Sequence, residues 1–149
     1  MEEQKEPMEF KYSLRRYRLK PNHYKITCST HAHAPVGFVW FELNNKKICL
    51  HNIFVEKQYR RFQIGDKKYH IGSTLLSIME NFAKSHNIHL IEGKFYPSIE
   101  GARDFYEKNG YVVPNATRTW ANYDETWTLY KDLHQTISPK TTFTNEMSK

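Results

Sequence analysis

Polar and apolar positions alternate through the first half of the chain. Phe10, Tyr12 and Leu14 are separated by Lys11 and Ser13, and Leu19 closes the segment near Lys20. Tyr24, Ile26 and Cys28 alternate in the same way after a turn at Pro21 and Asn22. A period of two predicts a β-strand in each segment. Val36 to Leu43 (VGFVWFEL) predicts a third strand, and Asn44-Asn45 a hairpin turn after it. Ile48, Leu50, Ile53, Phe54 and Val55 form a short run rich in β-branched and aromatic residues, the composition of a central strand. The first half therefore predicts an antiparallel meander of four strands.

At Gly72 the period changes. Leu75, Leu76, Met79, Phe82 and Ala83 recur at helical spacing, with Lys84 and His86 near the end, where the helix dipole favours cations. A helix over Gly72 to His86 follows, then a fifth strand over His89 to Phe95. Strand, helix and strand of these lengths predict a crossover with parallel strands. A second helix is predicted over Ser98 to Asn109, with Ser98 as N-cap and Glu100 in the first turn. Ile99, Ala102, Phe105 and Tyr106 form its apolar face, and Gly110 is its left-handed cap. Tyr111 to Val113 begins a strand, Pro114 to Ala116 interrupts it, and Trp127 to Tyr130 makes the last one. Residues 1–8 and 135–149 are charged or Thr-, Ser- and Lys-rich, and read as a flexible tail and a disordered tail around one α/β (α+β) domain at 9–134.

Composition narrows the picture. A chain of 149 residues with 39% hydrophobic and 15% aromatic content can bury a core as a single domain. No apolar run is long enough to span a membrane, and the charged start MEEQKEP is no signal peptide. Cys28 and Cys49 are the only cysteines, which fits a reducing cytoplasm better than a disulfide framework. CxxC spacing is absent, and His31 and His33 have no carboxylate or thiol at hand, so no metal site is expected. The net charge of +6 fits an anionic ligand such as a nucleotide cofactor, and also fits nucleic acid.

The cations are concentrated where strand meets helix. Lys57, Arg60, Arg61, Lys67 and Lys68 lie between Val55 and Gly72. Together with the unpaired N–H groups of a helix start, they make a good place for a phosphate.

These elements, and the residues within them, resemble the GNAT N-acetyltransferase superfamily over roughly Val36 to Leu133. Two segments carry the resemblance: IFVEKQYR…HIGSTLL (Ile53 to Leu76) and GARDFYEKNGY (Gly101 to Tyr111). The first is similar to that family's strand, pyrophosphate loop (Arg/Gln-x-x-Gly-x-Gly/Ala) and helix. The second is similar to its A-x-x-F-Y-E-K-x-G-F/Y helix ending. Lys67-Lys68-Tyr69-His70-Ile71-Gly72 fits the loop only with His70 in the first glycine's place and Lys67 in that of Arg or Gln. That register implies an insertion of about seven residues within Arg61 to Tyr69. A rival register, Arg60 to Gly65 (RRFQIG), keeps the usual distance from the strand, but only the former runs straight into the helical period.

The resemblance implies a mixed, mostly antiparallel sheet whose fourth and fifth strands splay around acetyl-CoA. Its pantetheine arm would lie beside Ile53, Phe54 and Val55, and its pyrophosphate at Lys67, Lys68, Tyr69, His70, Ile71, Gly72 and Ser73. A backbone amide of the fourth strand would polarise the acetyl carbonyl. Tyr106 matches the tyrosine that serves as general acid, against the plainer reading of a core aromatic. His51 resembles the histidine of the arylalkylamine branch that drains the amine's proton, with Cys49 where that branch has a second histidine. It reads equally well as a sheet histidine. Glu42, Glu56 and Glu92 are further candidate bases with nothing to fix their direction.

The implied activity is direct acetyl transfer from acetyl-CoA to a primary amine. Alternatives are a silent acyl-CoA-binding protein of the same fold, a small-amine acetyltransferase and, last, a nucleic-acid-binding module, since the aromatics fall at core periods. The fold is a minimal form, because only Lys20 to His23 separate Leu19 from Tyr24, where the family usually places one or two helices. An acceptor site open on that side suits a protein or peptide amine, unless the basic insertion or a second copy in a homodimer covers it.

Overall fold

A computed structural model of the chain describes residues 9–60, 63–64, 67–117 and 121–135. Strand β1 runs Phe10–Arg16, β2 His23–Thr30, β3 Pro35–Asn44 and β4 Lys47–Val55. Neighbours pair antiparallel, as the alternation predicts. Asn22 (φ 67°) and Asn45 (φ 56°) turn two of the connections in the left-handed backbone that asparagine tolerates. The predicted first strand runs too far. Tyr17 onward leaves the sheet, and Leu19 is 94% exposed.

After a single helical turn at Lys57–Tyr59 comes a two-strand ribbon, β5 (Gln63–Ile64) with β6 (Lys67–Lys68). Helix α1 (Ile71–Ser85), strand β7 (Leu90–Phe95), helix α2 (Ala102–Lys108) and strand β8 (Trp127–Asp132) complete the order. The main sheet runs β1-β2-β3-β4-β7-β8, with β4 and β7 parallel and every other neighbouring pair antiparallel. The predicted crossover is therefore β4-α1-β7. The mixed α+β class and the absence of a helix between β1 and β2 also match expectation.

Both helices lie on one face. Tyr24, Phe41, Leu50, Gly93 and Leu129 sit opposite one another across five strands, so they share that face. Phe82 of α1 packs on it, 4.8 Å from the Tyr24 ring and 5.4 Å from Phe41. Ile26, Val39, Ile48, Leu75, Leu76, Met79 and Ile91 are fully buried between sheet and helix. Lys131 Nζ and the Tyr111 hydroxyl both reach the Glu80 carboxylate, at 3.1 and 2.9 Å, tying α1 to the β8 edge. No helix covers the other face among the described residues. It carries Lys25, Phe38, Trp40, Glu42, Cys49 and Glu92.

The second helix departs from expectation at its start. Ser98 is not its N-cap: that place is taken by Gly101 (φ 82°), and the Ser98 hydroxyl donates to the Tyr123 carbonyl at 3.0 Å. A distant partner has claimed the capping group, and Pro97 to Gly101 wind as turns instead. Ile99, expected on the apolar face, is 57% exposed in those turns. Gly110 has the left-handed φ (87°) expected of it. Tyr111 to Val113 contributes a single bridge, Val112 to Tyr130, before Pro114–Thr117 coils. The tail at 1–8 and all of 135–149 beyond Gln135 lie outside the described residues.

Candidate active site

The site begins where two strands part. β4 pairs with β7 only over Lys47–Leu50 against Leu90–Gly93; beyond that rung β4 stays with β3 to Val55, and β7 with β8 to Phe95. Gly93 sits at the last shared rung. A Cβ there would lie 2.8 Å from the Leu50 carbonyl oxygen and 3.1 Å from Leu50 Cβ, so a side chain would force the strands apart too early.

Past that rung, one edge of β4 is open. Glu56 N–H donates to the Val36 carbonyl at 2.8 Å, and the antiparallel ladder alternates from there. Phe54 therefore points its amide at β3, while Ile53 and Val55 turn theirs into the gap. The Val55 carbonyl is already taken by Arg60 Nε at 2.6 Å. Of the three residues expected beside a pantetheine arm, two offer amides to it and the third does not.

A β-bulge explains the side chains. Trp40 faces Asn52 but Phe41 faces Leu50, leaving His51 as the extra residue of β4. The shift returns Ile53 and Val55 to the helix-covered face, where they pack on the core. It turns the Phe54 ring out, 43% exposed, with the Arg60 guanidinium 5.6 Å above it. Arg60 is thus engaged at the end of β4, beside Phe54 and Val55.

The N-terminus of α1 opens beside this gap. The first intrahelical bond is Thr74 N–H to the His70 carbonyl, 2.8 Å, so the amides of Ile71, Gly72 and Ser73 point out of the helix end, and no side chain caps them. Gly72 has a second reason to be glycine. A Cβ there would come within 2.9 Å of the Phe105 ring of α2, which rests on this first turn. Ile71 is buried, and the Tyr69 ring packs on Phe10 at 5.3 Å. Lys67 and Lys68 form β6 of the ribbon, a step before the helix. Gly65 of the rival register lies outside the described residues.

His51 and Tyr106 stand on opposite faces. The His51 ring lies on the bare face, its Nε2 2.9 Å from Glu42 Oε1. His23 Nε2 approaches the same oxygen at 3.5 Å, and Trp40 Nε1 donates to His23 Nδ1 at 3.0 Å. The hydrogen bond from His51, followed by the charges of both histidines, holds the Glu42 carboxyl below its usual range. Cys49 is not a substitute base, because partial burial pushes its thiol up. A cleft of about 560 Å³ opens here, lined by Cys49, His51, Glu92, Lys94, Thr128 and Tyr130 among others.

Tyr106 is buried under α2, its ring 5.1 Å from Phe95 and 6.0 Å from Tyr111. Burial pushes its hydroxyl up to about 12, so it keeps its proton at neutral pH. His23 and Trp40 were invisible as site residues in the sequence, and Glu42 had no direction. Only the pairing of β2 with β3 brings His23 opposite Glu42.

A family model for the acetyltransferase (GNAT) domain matches residues 2–123. No curated protein matches the chain. Among solved structures, a Bacillus anthracis protein provisionally named a streptothricin acetyltransferase, in complex with acetyl coenzyme A, is 24% identical. The alignment covers 76% of this chain and 64% of that one, with a TM-score of 0.58. An acetyltransferase of the GNAT family from Staphylococcus aureus is 22% identical over 75% and 68% of the two chains, TM-score 0.59. The PaiA N-acetyltransferase of Thermoplasma acidophilum, in complex with coenzyme A, is 18% identical over 74% and 61%, TM-score 0.58. The chain spans less than two thirds of the Bacillus and Thermoplasma proteins, and at these identities the likeness is one of fold. The family match covers most of the sequence: the chain belongs to the GNAT acetyltransferase domain family.

Proposed function

We propose that residues 9–134 act as an acetyl-CoA-dependent N-acetyltransferase whose acceptor is a primary amine on a protein or peptide. The observation that carries this reading is the parting of β4 from β7, with the Ile53 and Val55 amides turned into the gap. When bound, acetyl-CoA supplies an acetyl group activated as a thioester. The residues present fit such a guest: an open strand edge for an amide-rich arm, and three uncapped helix amides for a pyrophosphate.

The chain's own groups divide the work. An amide of Ile53 or Val55 holds the carbonyl oxygen as charge develops on it. His51 accepts the proton that the acceptor ammonium must lose before its nitrogen can attack. Tyr106, protonated and buried, holds a proton for the departing sulfur. Base and acid approach from opposite faces of the sheet, and the gap between β4 and β7 is where the two can meet.

The bare face supports a macromolecular acceptor. It leaves the His51 cleft open to water, and a protein surface brings its own exclusion of water. Lys11, Arg15, Lys20 and Lys25 flank it, and among the described residues none of them is in an ion pair. Lys25 Nζ rests 4.5 Å from the Phe38 ring and Lys20 Nζ 5.2 Å from Trp40. Cations held in place without acids favour an acidic surface around the acceptor amine. Among the described residues no helix is long and apolar enough to cross a membrane. Cys28 and Cys49 are both free thiols, which favours an acceptor in the reducing cytoplasm.

The test has two steps. Acetyl-CoA should raise the melting temperature of the purified chain, since a ligand of the native state alone stabilises it. Labelled acetyl-CoA should then mark proteins of a lysate in a reaction that the Tyr106→Phe variant performs poorly. Efficient turnover of polyamines or arylalkylamines, with no protein labelled, would refute the acceptor. A thermal shift without any turnover would leave an acyl-CoA-binding protein.

A further inference from the structure

Three neighbouring strands each send one side chain to a single point on the bare face: His23 from β2, Glu42 from β3 and His51 from β4. The carboxylate oxygen Oε1 of Glu42 is shared, at 2.9 Å from His51 Nε2 and 3.5 Å from His23 Nε2. The two imidazoles stack with centroids 5.3 Å apart and planes 8° from parallel, and the Trp40 ring lies 4.8 Å from His51.

Hydrogen-bond chemistry fixes the protons. An indole nitrogen can only donate, so His23 Nδ1, 3.0 Å from Trp40 Nε1, must accept. The proton of neutral His23 is then on Nε2, aimed at Glu42. An ionised carboxylate can only accept, so His51 likewise presents Nε2–H to it. Nδ1 of His51, which no described residue engages, is left with a lone pair, and His51 lines the cleft. We infer that Glu42 is a positioning residue that selects this tautomer of His51, with His23 and Trp40 holding the carboxylate in place. The inference rests on the reading of His51 as the base.

The acceptor ammonium gives one N–H proton to His51 Nδ1, and its nitrogen keeps the electron pair that forms the bond to the acetyl carbon. As the carbon–sulfur bond breaks, Tyr106 protonates the departing thiolate, and the second proton that the nitrogen sheds in becoming an amide returns through water to the Tyr106 oxygen. The resulting imidazolium is held between the Glu42 carboxylate and the face of Trp40. Glu42 stays ionised throughout, and the proton passes from Nδ1 to water on the bare face, restoring the ring.

The same three residues also resemble a two-histidine, one-carboxylate metal set, with donor atoms all within 4.8 Å of one another. The tautomer argues against a metal. A cation on His23 Nε2 would require the proton on Nδ1, where the Trp40 N–H already points.

Long-range nitrogen–proton NMR of the histidine rings in the full chain reads the tautomer with no need of activity. In the wild type His51 should carry its proton on Nε2, and Glu42→Ala should lose that preference. In the same variant kcat should fall at least ~10-fold, short of the ~10²–10⁴-fold that general base catalysis contributes as a whole, while KM for acetyl-CoA stays within about twofold. Glu42→Gln keeps an accepting oxygen without the charge. It should keep the tautomer and lose less rate, and it carries the test if Glu42→Ala fails to fold. A wild-type His51 protonated on Nδ1, an unchanged kcat in Glu42→Ala, or zinc binding that needs all three residues would each overturn the inference. Should the wild type bind acetyl-CoA but turn nothing over, the base reading falls, and the NMR still decides whether Glu42 sets the ring.

Discussion

The two faces of the sheet hold opposite kinds of chemistry. Under the helices, tyrosines are kept neutral: burial raises Tyr106 and Tyr111, and raises Tyr12 beside Cys28. On the bare face the groups that matter are ionised or ready to be, with Glu42 held below its usual range by two histidines. A proton donor for a thiolate needs a high pKa, which desolvation supplies. A base for an ammonium needs a lone pair, a nearby carboxylate and water to take the proton away. Under the proposed function one strand boundary serves both needs, at the point where β4 and β7 separate. The contrast teaches that, with no helix between β1 and β2, the face carrying Glu42 and His51 stays bare among the described residues, while Tyr106 lies on the face that α1 and α2 cover.

The largest difference between the faces should appear in stability. Leu76 is fully buried against the sheet, so Leu76→Ala should cost about 2–5 kcal/mol in urea unfolding, whereas Phe54→Ala on the bare face should cost under about 1 kcal/mol. Equal losses would mean that something covers the bare face.

Catalysis comes next. Tyr106→Phe should lower kcat by about 10²-fold with acetyl-CoA affinity nearly unchanged, as calorimetry and steady-state rates would show. Because Tyr106 titrates only at about 12, it should impose no alkaline fall on the rate between pH 6 and roughly 10. The sign for stability follows from the same burial. Between pH 10.0 and about 12 the unfolded chain releases this proton and the folded chain does not, so stability should decline with pH there. An alkaline limb near neutrality that vanishes in Tyr106→Phe would reverse the assignment.

A smaller effect separates the two reasons for Gly72. Gly72→Ala would set a methyl 2.9 Å from the Phe105 ring and should weaken acetyl-CoA binding only through that displacement. The pair Gly72→Ala with Phe105→Leu should then recover most of the affinity. Failure to recover would place the methyl against the anion instead of the ring.

The smallest expected change concerns charge. Lys25→Ala with Arg15→Ala should raise KM for an acidic peptide acceptor a few fold, less so at high salt, and leave kcat alone. An unchanged KM would move the acceptor off this face.

Local pattern was enough for much of this molecule. Alternation at Tyr24, Ile26 and Cys28 could only serve a half-buried strand, and the spacing of Leu75, Leu76, Met79 and Ala83 only a helix with one buried stripe. Asn45 and Gly110 turn where their permitted backbone requires it, and the few residues between β1 and β2 rule out a helix by count alone. These are properties of single segments, and every segment carries them in its own residues.

The site is made of differences between segments. Whether Ile53 or Phe54 faces the core depends on a bulge at His51, and that bulge exists only in the register of β4 against β3. Which amides enter the gap depends on the bond from Glu56 to Val36. Ser98 lost its cap to a carbonyl at Tyr123, and Gly72 yields its space to a ring on another helix. Glu42 was one undirected carboxylate among three until strand pairing set His23 and His51 on either side of it. No hydrophobic period encodes such meetings, because a polar side chain's direction is decided by the partner it finds across the sheet.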